Sequence, residues 1–122
     1  MAAVDEQLKQ AFASMQVKMQ ETRKQLTLGD AAVEQQRGAI QRAELTKKEL
    51  KLLKDDTPTY QTVGRMFVRQ SVADSIADLD KDIAESQEKI EKVNKQKEYL
   101  ERTLKESQDN LREMVQARKN KS

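Results

Sequence analysis

The sequence predicts a mainly α protein: a long antiparallel two-helix coiled coil with a single central β-hairpin. Three observations lead there. Two stretches, 8–40 and 72–118, repeat apolar residues in alternating steps of four and three. Between them the run TYQTVGRMFVR, Thr59–Arg69, gathers β-branched and aromatic residues just after the one proline. Apolar residues make up 36% of the 122 and aromatics only 3%, too few for a compact globular core of this length. Charged residues also make up 36%, and the charge is nearly balanced at +2, which suits long solvated helices better than disorder. The expected organisation is one domain over residues 1–122. It has a helix over 5–43, a short helix over 47–54, a hairpin over 59–69 and a helix over 72–118.

In the first helix the stepped positions are Leu8, Phe12, Met15, Met19, Thr22, Leu26, Gly29, Val33, Gln36 and Ile40. With Phe12 as an a position, every a residue is apolar. The d series begins apolar and turns small or polar at Thr22, Gly29 and Gln36. A mean period of 3.5 marks a left-handed coiled coil. Those three d positions are expected to leave the middle of the pair less tightly specified.

Thr46 with Glu49 three residues later matches a capping box, so a short helix, KKELKLLK, is expected to start there. Asp55-Asp56-Thr57-Pro58 ends it, because the residue before proline is pushed out of the α region. The two aspartates read as turn formers; their spacing lacks the alternating ligands of a calcium loop.

With Gly64-Arg65 as a two-residue turn, Val63 faces Met66, Thr62 faces Phe67 and Tyr60 faces Arg69. Apolar side chains then fall on both faces of the ribbon. A lone two-stranded ribbon is marginal in water and has two open edges, so this one must find partners.

Ser71 is placed to cap the second long helix. The stepping continues through Val72, Ile76, Leu79, Ile83, Ser86, Ile90, Val93, Lys97, Leu100, Leu104, Ser107, Leu111, Met114 and Arg118, with no glycine or proline. Two long helices joined by a short segment return antiparallel. A register in which partner numbers sum to 119 pairs Thr22 with Lys97 and Phe12 with Ser107. It is preferred to a sum of 112 because it sets large against small and polar against polar.

The chain has no Cys and no His, which excludes disulfide, thiol and imidazole chemistry and the usual zinc sites. Its carboxylates interleave with Lys and Arg off the seam, as solvated ion pairs do, so no enzyme and no cofactor are expected. The basic runs 47–54 and 118–122 lack interleaved aromatics, so no nucleic acid is expected either. No apolar run reaches the roughly 20 residues needed to span a bilayer, and the first residues lack the regions of a signal peptide. A soluble intracellular protein is the expectation.

At the ends away from the hairpin, Val4, Leu8, Ala11, Phe12 and Met15 would meet Leu104, Leu111, Met114 and Val115. Adaptable apolar surface there suits irregular hydrophobic partners. A merely frayed coiled coil is the plain alternative.

Heptad helix, short capped helix, hairpin with VGRMFV, heptad helix: over essentially the whole chain this layout resembles a β-class prefoldin subunit. The most specific segments are TPTYQTVGRMFVRQS, Thr57–Ser71, and KEYLERTLKESQDNLREMVQARK, Lys97–Lys119. The α class carries two hairpins, whereas only one fits here. The resemblance implies a hexamer with two α-class and three further β-class subunits, whose hairpins join in an inter-subunit β-barrel. It also implies an ATP-independent cytoplasmic co-chaperone that captures unfolded chains, notably actin and tubulin, and passes them to the group II chaperonin. Carried onto this sequence, assembly would rest on Tyr60, Val63, Met66, Phe67 and Val68. Client contact would rest on Val4, Leu8, Phe12, Leu111, Met114 and Val115. A coiled-coil scaffold or tether without chaperone activity is the rival reading.

Overall fold

The computed structural model describes residues 2–121, with side chains for residues 6–120. Four elements follow one another: α1 (Ala2–Leu50), β1 (Thr59–Val63), β2 (Met66–Gln70) and α2 (Val72–Lys121). Backbone proximity divides them into two units. One joins α1 through Ala31 with α2 from Val93 onward; the other is Ala32–Lys92.

α1 runs without interruption past Ala43, so the expected break and separate short helix are not present. The stretch AELTKKEL contains no glycine or proline, and most of its residues favour helix. Thr46 does not cap a new helix. Its Oγ1 donates to the Arg42 carbonyl at 2.9 Å, the back-bond of a threonine inside a helix. Residues 47–50 form the last turn, closed by i→i+3 bonds from Leu52 N to Glu49 O and Leu53 N to Leu50 O, both 3.1 Å. Lys54–Thr57 then makes a turn, with Thr57 N on Lys54 O at 3.0 Å, and Asp55-Asp56 inside it.

The seam of α1 is half-buried or buried at Leu8, Ala11, Met15, Met19, Thr22, Leu26, Gly29, Val33, Gln36, Ile40, Ala43, Lys47 and Leu50. That of α2 includes Val72, Ile76, Leu79, Ile83, Ser86, Ile90, Val93, Lys97, Leu100, Leu104, Leu111, Val115 and Arg118. The four-three stepping therefore holds through most of both helices. It departs at two places, where Ala11 replaces Phe12 and Val115 replaces Met114. Leu8 to Met19 and Leu104 to Val115 each span 11 residues in three turns. That spacing is close to the relaxed α-helical period, so the heptad no longer predicts the inward residue.

The register also differs from the expected sum of 119. In the first unit Lys18 Nζ donates to Ser107 Oγ at 2.7 Å, Gln108 Nε2 lies 3.8 Å from Met19 Sδ, and Lys97 Nζ pairs with Asp30. In the second unit Lys47 Nζ lies 2.5 Å from Asp80 Oδ1. Partner numbers sum to 125–127, one heptad beyond the expectation. Lys97 lies against Gly29 rather than Thr22, and Ser107 does not face Phe12. The cause is the length of α1: ending at Leu50 instead of Ala43 adds seven residues before the chain can turn back.

Among the described residues few are buried. Val33, Val72 and Ile83 keep 4–7% of their surface and Thr22 keeps 7%, while the rest of the seam is half-covered. Two helices alone shield only one stripe of each other.

Candidate functional site: an apolar hairpin and the paired chain ends

The hairpin is built locally. Gly64 takes φ +62° and no other described residue has a positive φ, the pattern of a type II′ turn with glycine first. A Cβ at Gly64 would meet nothing within 4 Å, so the backbone conformation, not space, calls for glycine. Pairing runs Thr59 with Gln70, Tyr60 with Arg69, Gln61 with Val68, Thr62 with Phe67 and Val63 with Met66, as the turn residues predicted.

The open end is fixed to α2. Thr59 Oγ1 bonds the Gln70 carbonyl, and the Gln70 amide reaches Asp78 Oδ2 at 2.6 Å while accepting from Ser75 Oγ at 3.1 Å. Ser71 Oγ accepts from Asp74 N at 3.0 Å and caps α2 as expected.

Beyond that base the ribbon is uncovered on both sides. Val63, Met66 and Val68 share one face; Tyr60 and Phe67 share the other. Phe67 is 73% exposed, Met66 65% and Tyr60 63%, and Val63 and Val68 are also exposed. Water is a poor environment for that much clustered apolar surface. β1 and β2 form a two-stranded sheet, so each keeps one unpaired edge within the chain.

The chain-end residues divide differently. Val4 lies outside the residues whose side chains are described. Leu8, Leu111 and Val115 are half-buried in the seam, whereas Phe12 and Met114 stand outward at 47% and 49% exposure. By the observed register Phe12 and Met114 occupy the same layer of the pair. Leu28, Leu45 and Leu52, with Tyr99, are exposed off the stepped positions. Their signal in the sequence is an apolar residue outside the four-three pattern.

No group of three metal-ligating side chains occurs among the described residues. No described helix is long and apolar enough to cross a membrane.

Comparison with known proteins agrees with this geometry. The family model described as Prefoldin subunit matches residues 13–118. The chain is 40% identical over 118 residues to prefoldin subunit 1 of Homo sapiens, covering 97% of both chains. It is 38% identical over 115 residues to the probable prefoldin subunit 1 of Caenorhabditis briggsae, covering 94% of this chain and 98% of that one. Among solved structures, the prefoldin β subunit from Thermococcus strain KS-1 superposes with a TM-score of 0.62 at 20% identity, covering 82% of this chain and 90% of that one. One hairpin between two long helices is thus the β-subunit fold, and the chain belongs to the prefoldin subunit family.

Proposed function

We propose that this chain is a β-class member of a hexameric, ATP-independent co-chaperone, assembled with two α-class and three further β-class subunits. The observation that carries the reading is the hairpin: five apolar side chains exposed on both faces of a ribbon with open edges. Tyr60, Val63, Met66, Phe67 and Val68 would be covered when hairpins of neighbouring subunits join in a barrel, and strand pairing would close the edges.

Client capture would then use the chain ends, with Phe12 and Met114 as the outward contacts and Leu8, Leu111 and Val115 at the margin of the seam. One buried apolar side chain contributes about 1.5–3 kcal/mol, so a single subunit would hold a client weakly. Several subunits on one client raise the effective concentration and give reversible capture without nucleotide. Unfolded actin and tubulin as clients, delivery to the group II chaperonin, a cytoplasmic location and the lack of catalytic activity follow from the same reading.

The test is co-expression with an α-class partner and measurement of native mass, for the natural chain and for Phe67→Asp. The reading expects a hexamer that Phe67→Asp abolishes and that suppresses aggregation of an unfolded client. A chain that stays monomeric with its partner present, or a Phe67→Asp complex of unchanged mass, overturns it. A hexamer with no effect on aggregation would favour the scaffold.

A further inference from the structure

The chain holds no cysteine, histidine or tryptophan, so its five methionine thioethers are the side chains that a two-electron oxidant attacks first. Four of them lie among the described side chains, and the fold sorts these into two pairs. Met15 and Met19 are half-buried in the seam of α1, and the Met19 sulfur accepts from Gln108 Nε2 at 3.8 Å. Met66 and Met114 stand outward, 65% and 49% exposed. Met66 is therefore the most open thioether of the four.

Met66 also stands where a change of polarity matters. It opens β2 directly after the Gly64-Arg65 turn, lies opposite Val63 and shares a face with Val68 two residues on. A hydroperoxide transfers one oxygen to such a sulfur. The S–O bond forms, the O–O bond breaks and the remaining oxygen leaves as water or an alcohol, so sulfur loses the two electrons that the peroxide gains. The product is a polar, chiral sulfoxide in place of a flexible apolar side chain. Its oxygen is a strong acceptor with apolar neighbours on either side, and covering it without a donor is unfavourable.

We propose that Met66 is a reversible oxidation site of the unassembled chain: a hydroperoxide converts it to the sulfoxide, and the sulfoxide keeps the hairpin out of assembly. The inference rests on the assembly reading above and adds regulation to it. A hairpin covered by its neighbours shields the thioether, so oxidation selects chains that have no partners. A thiol-dependent sulfoxide reductase reverses the step, two thiols becoming a disulfide as the sulfoxide oxygen leaves in water. Met114 belongs to the other end of α2, so its oxidation leaves the hairpin as it is.

The experiment treats the full chain alone with hydrogen peroxide, removes the peroxide with catalase and then adds untreated α-class and β-class partners. Fragment masses are expected to show the sulfoxide at Met66 and Met114 before Met15 and Met19. The concentration for half-assembly is expected to rise roughly tenfold and to return after reductase treatment. Met66→Leu, compared with its own untreated sample, should show no shift with peroxide, whereas Met114→Leu should shift as the natural chain does. In the assembled hexamer Met66 should oxidise far more slowly than Met114. Oxidation of Met19 ahead of Met66, an unchanged midpoint, a shift that persists in Met66→Leu, or equal Met66 rates in chain and hexamer each overturn the proposal. If the untreated chain forms no hexamer, the assembly reading is lost and the oxidation site with it. If the untreated chain assembles and the sulfoxide form assembles as tightly, only the oxidation site is wrong.

Discussion

Lys97 lies across Gly29. A Cβ at position 29 would stand 3.2 Å from Lys97 Cγ and 3.4 Å from Val93 Cγ1, so the lysine stem fills the space that a side chain would need. Its ammonium reaches Asp30 at the edge of the seam. A lysine can occupy a seam position in this way, stem inside and charge outside. Sliding the pair by one heptad would set Lys97 against Thr22 or Gln36, where no such slot exists. The gap at Gly29 is thus a filled layer that favours one register, not the slack that a glycine at a d position suggested.

Gly29→Leu should therefore cost about 1–3 kcal/mol by overpacking. Lys97→Ala in the same chain should recover most of it. Gly29→Ala should be close to neutral, since a helix-propensity gain of about 1 kcal/mol is offset by displacement of the lysine stem. A double-mutant cycle by thermal unfolding measures the coupling. Additive effects of the two substitutions would contradict the layer.

The hairpin and the Ser71 cap were legible because each is decided within a few residues. A glycine with alternating β formers on both sides admits one pairing, and Ser71 is a short polar residue just before the seam resumes. The end of α1 was misread because Thr46 and Glu49 satisfy a capping pattern that also occurs inside helices. Register inherited that error whole, since it is set by where α1 stops. Phe12 was misplaced because a strict heptad was extended into a region that follows an 11-residue spacing. Which residues at the chain ends face outward was the least legible, because an apolar residue near a helix end has the same letter whether it faces a partner helix or water.

Gly64→Ala tests the turn. A non-glycine residue at φ +62° in this turn costs on the order of 1–3 kcal/mol, and a two-stranded ribbon has little stability to lose. The helical signal in circular dichroism should persist while the concentration needed for half-assembly rises tenfold or more. A variant that assembles as tightly as the natural chain would show that the hairpin does not limit assembly.

Lys47 offers a pH test. Its hydrogen bond to Asp80 raises the lysine pKa above the ordinary value, burial opposes the shift, and the charges of Asp80 and Glu44 add to it. A raised lysine stabilises the fold fully below its unfolded pKa, and the contribution is lost as pH rises through the folded value. The difference in Tm between the natural chain and Asp80→Asn should thus be constant from neutral pH to the ordinary lysine range, then shrink above it. A difference that widened with rising pH would contradict the pairing.

Phe12 and Met114 separate capture from folding. Both stand outward in one layer, while Leu8 and Leu111 are half-buried in the seam. Replacing an exposed apolar residue removes little folding energy but takes away contact area for a client. Phe12→Ser with Met114→Ser should leave native mass and Tm almost unchanged while weakening suppression of client aggregation several-fold. Leu8→Ser with Leu111→Ser should instead lower Tm, because those side chains contribute to the pairing of α1 and α2. In the proposed hexamer one subunit in six carries the change, and capture by several weak contacts acting together predicts a graded loss. If the Phe12 and Met114 pair lowered Tm as much as the Leu8 and Leu111 pair, the outward residues would be structural. If it changed neither stability nor capture, client contact would lie elsewhere on the chain.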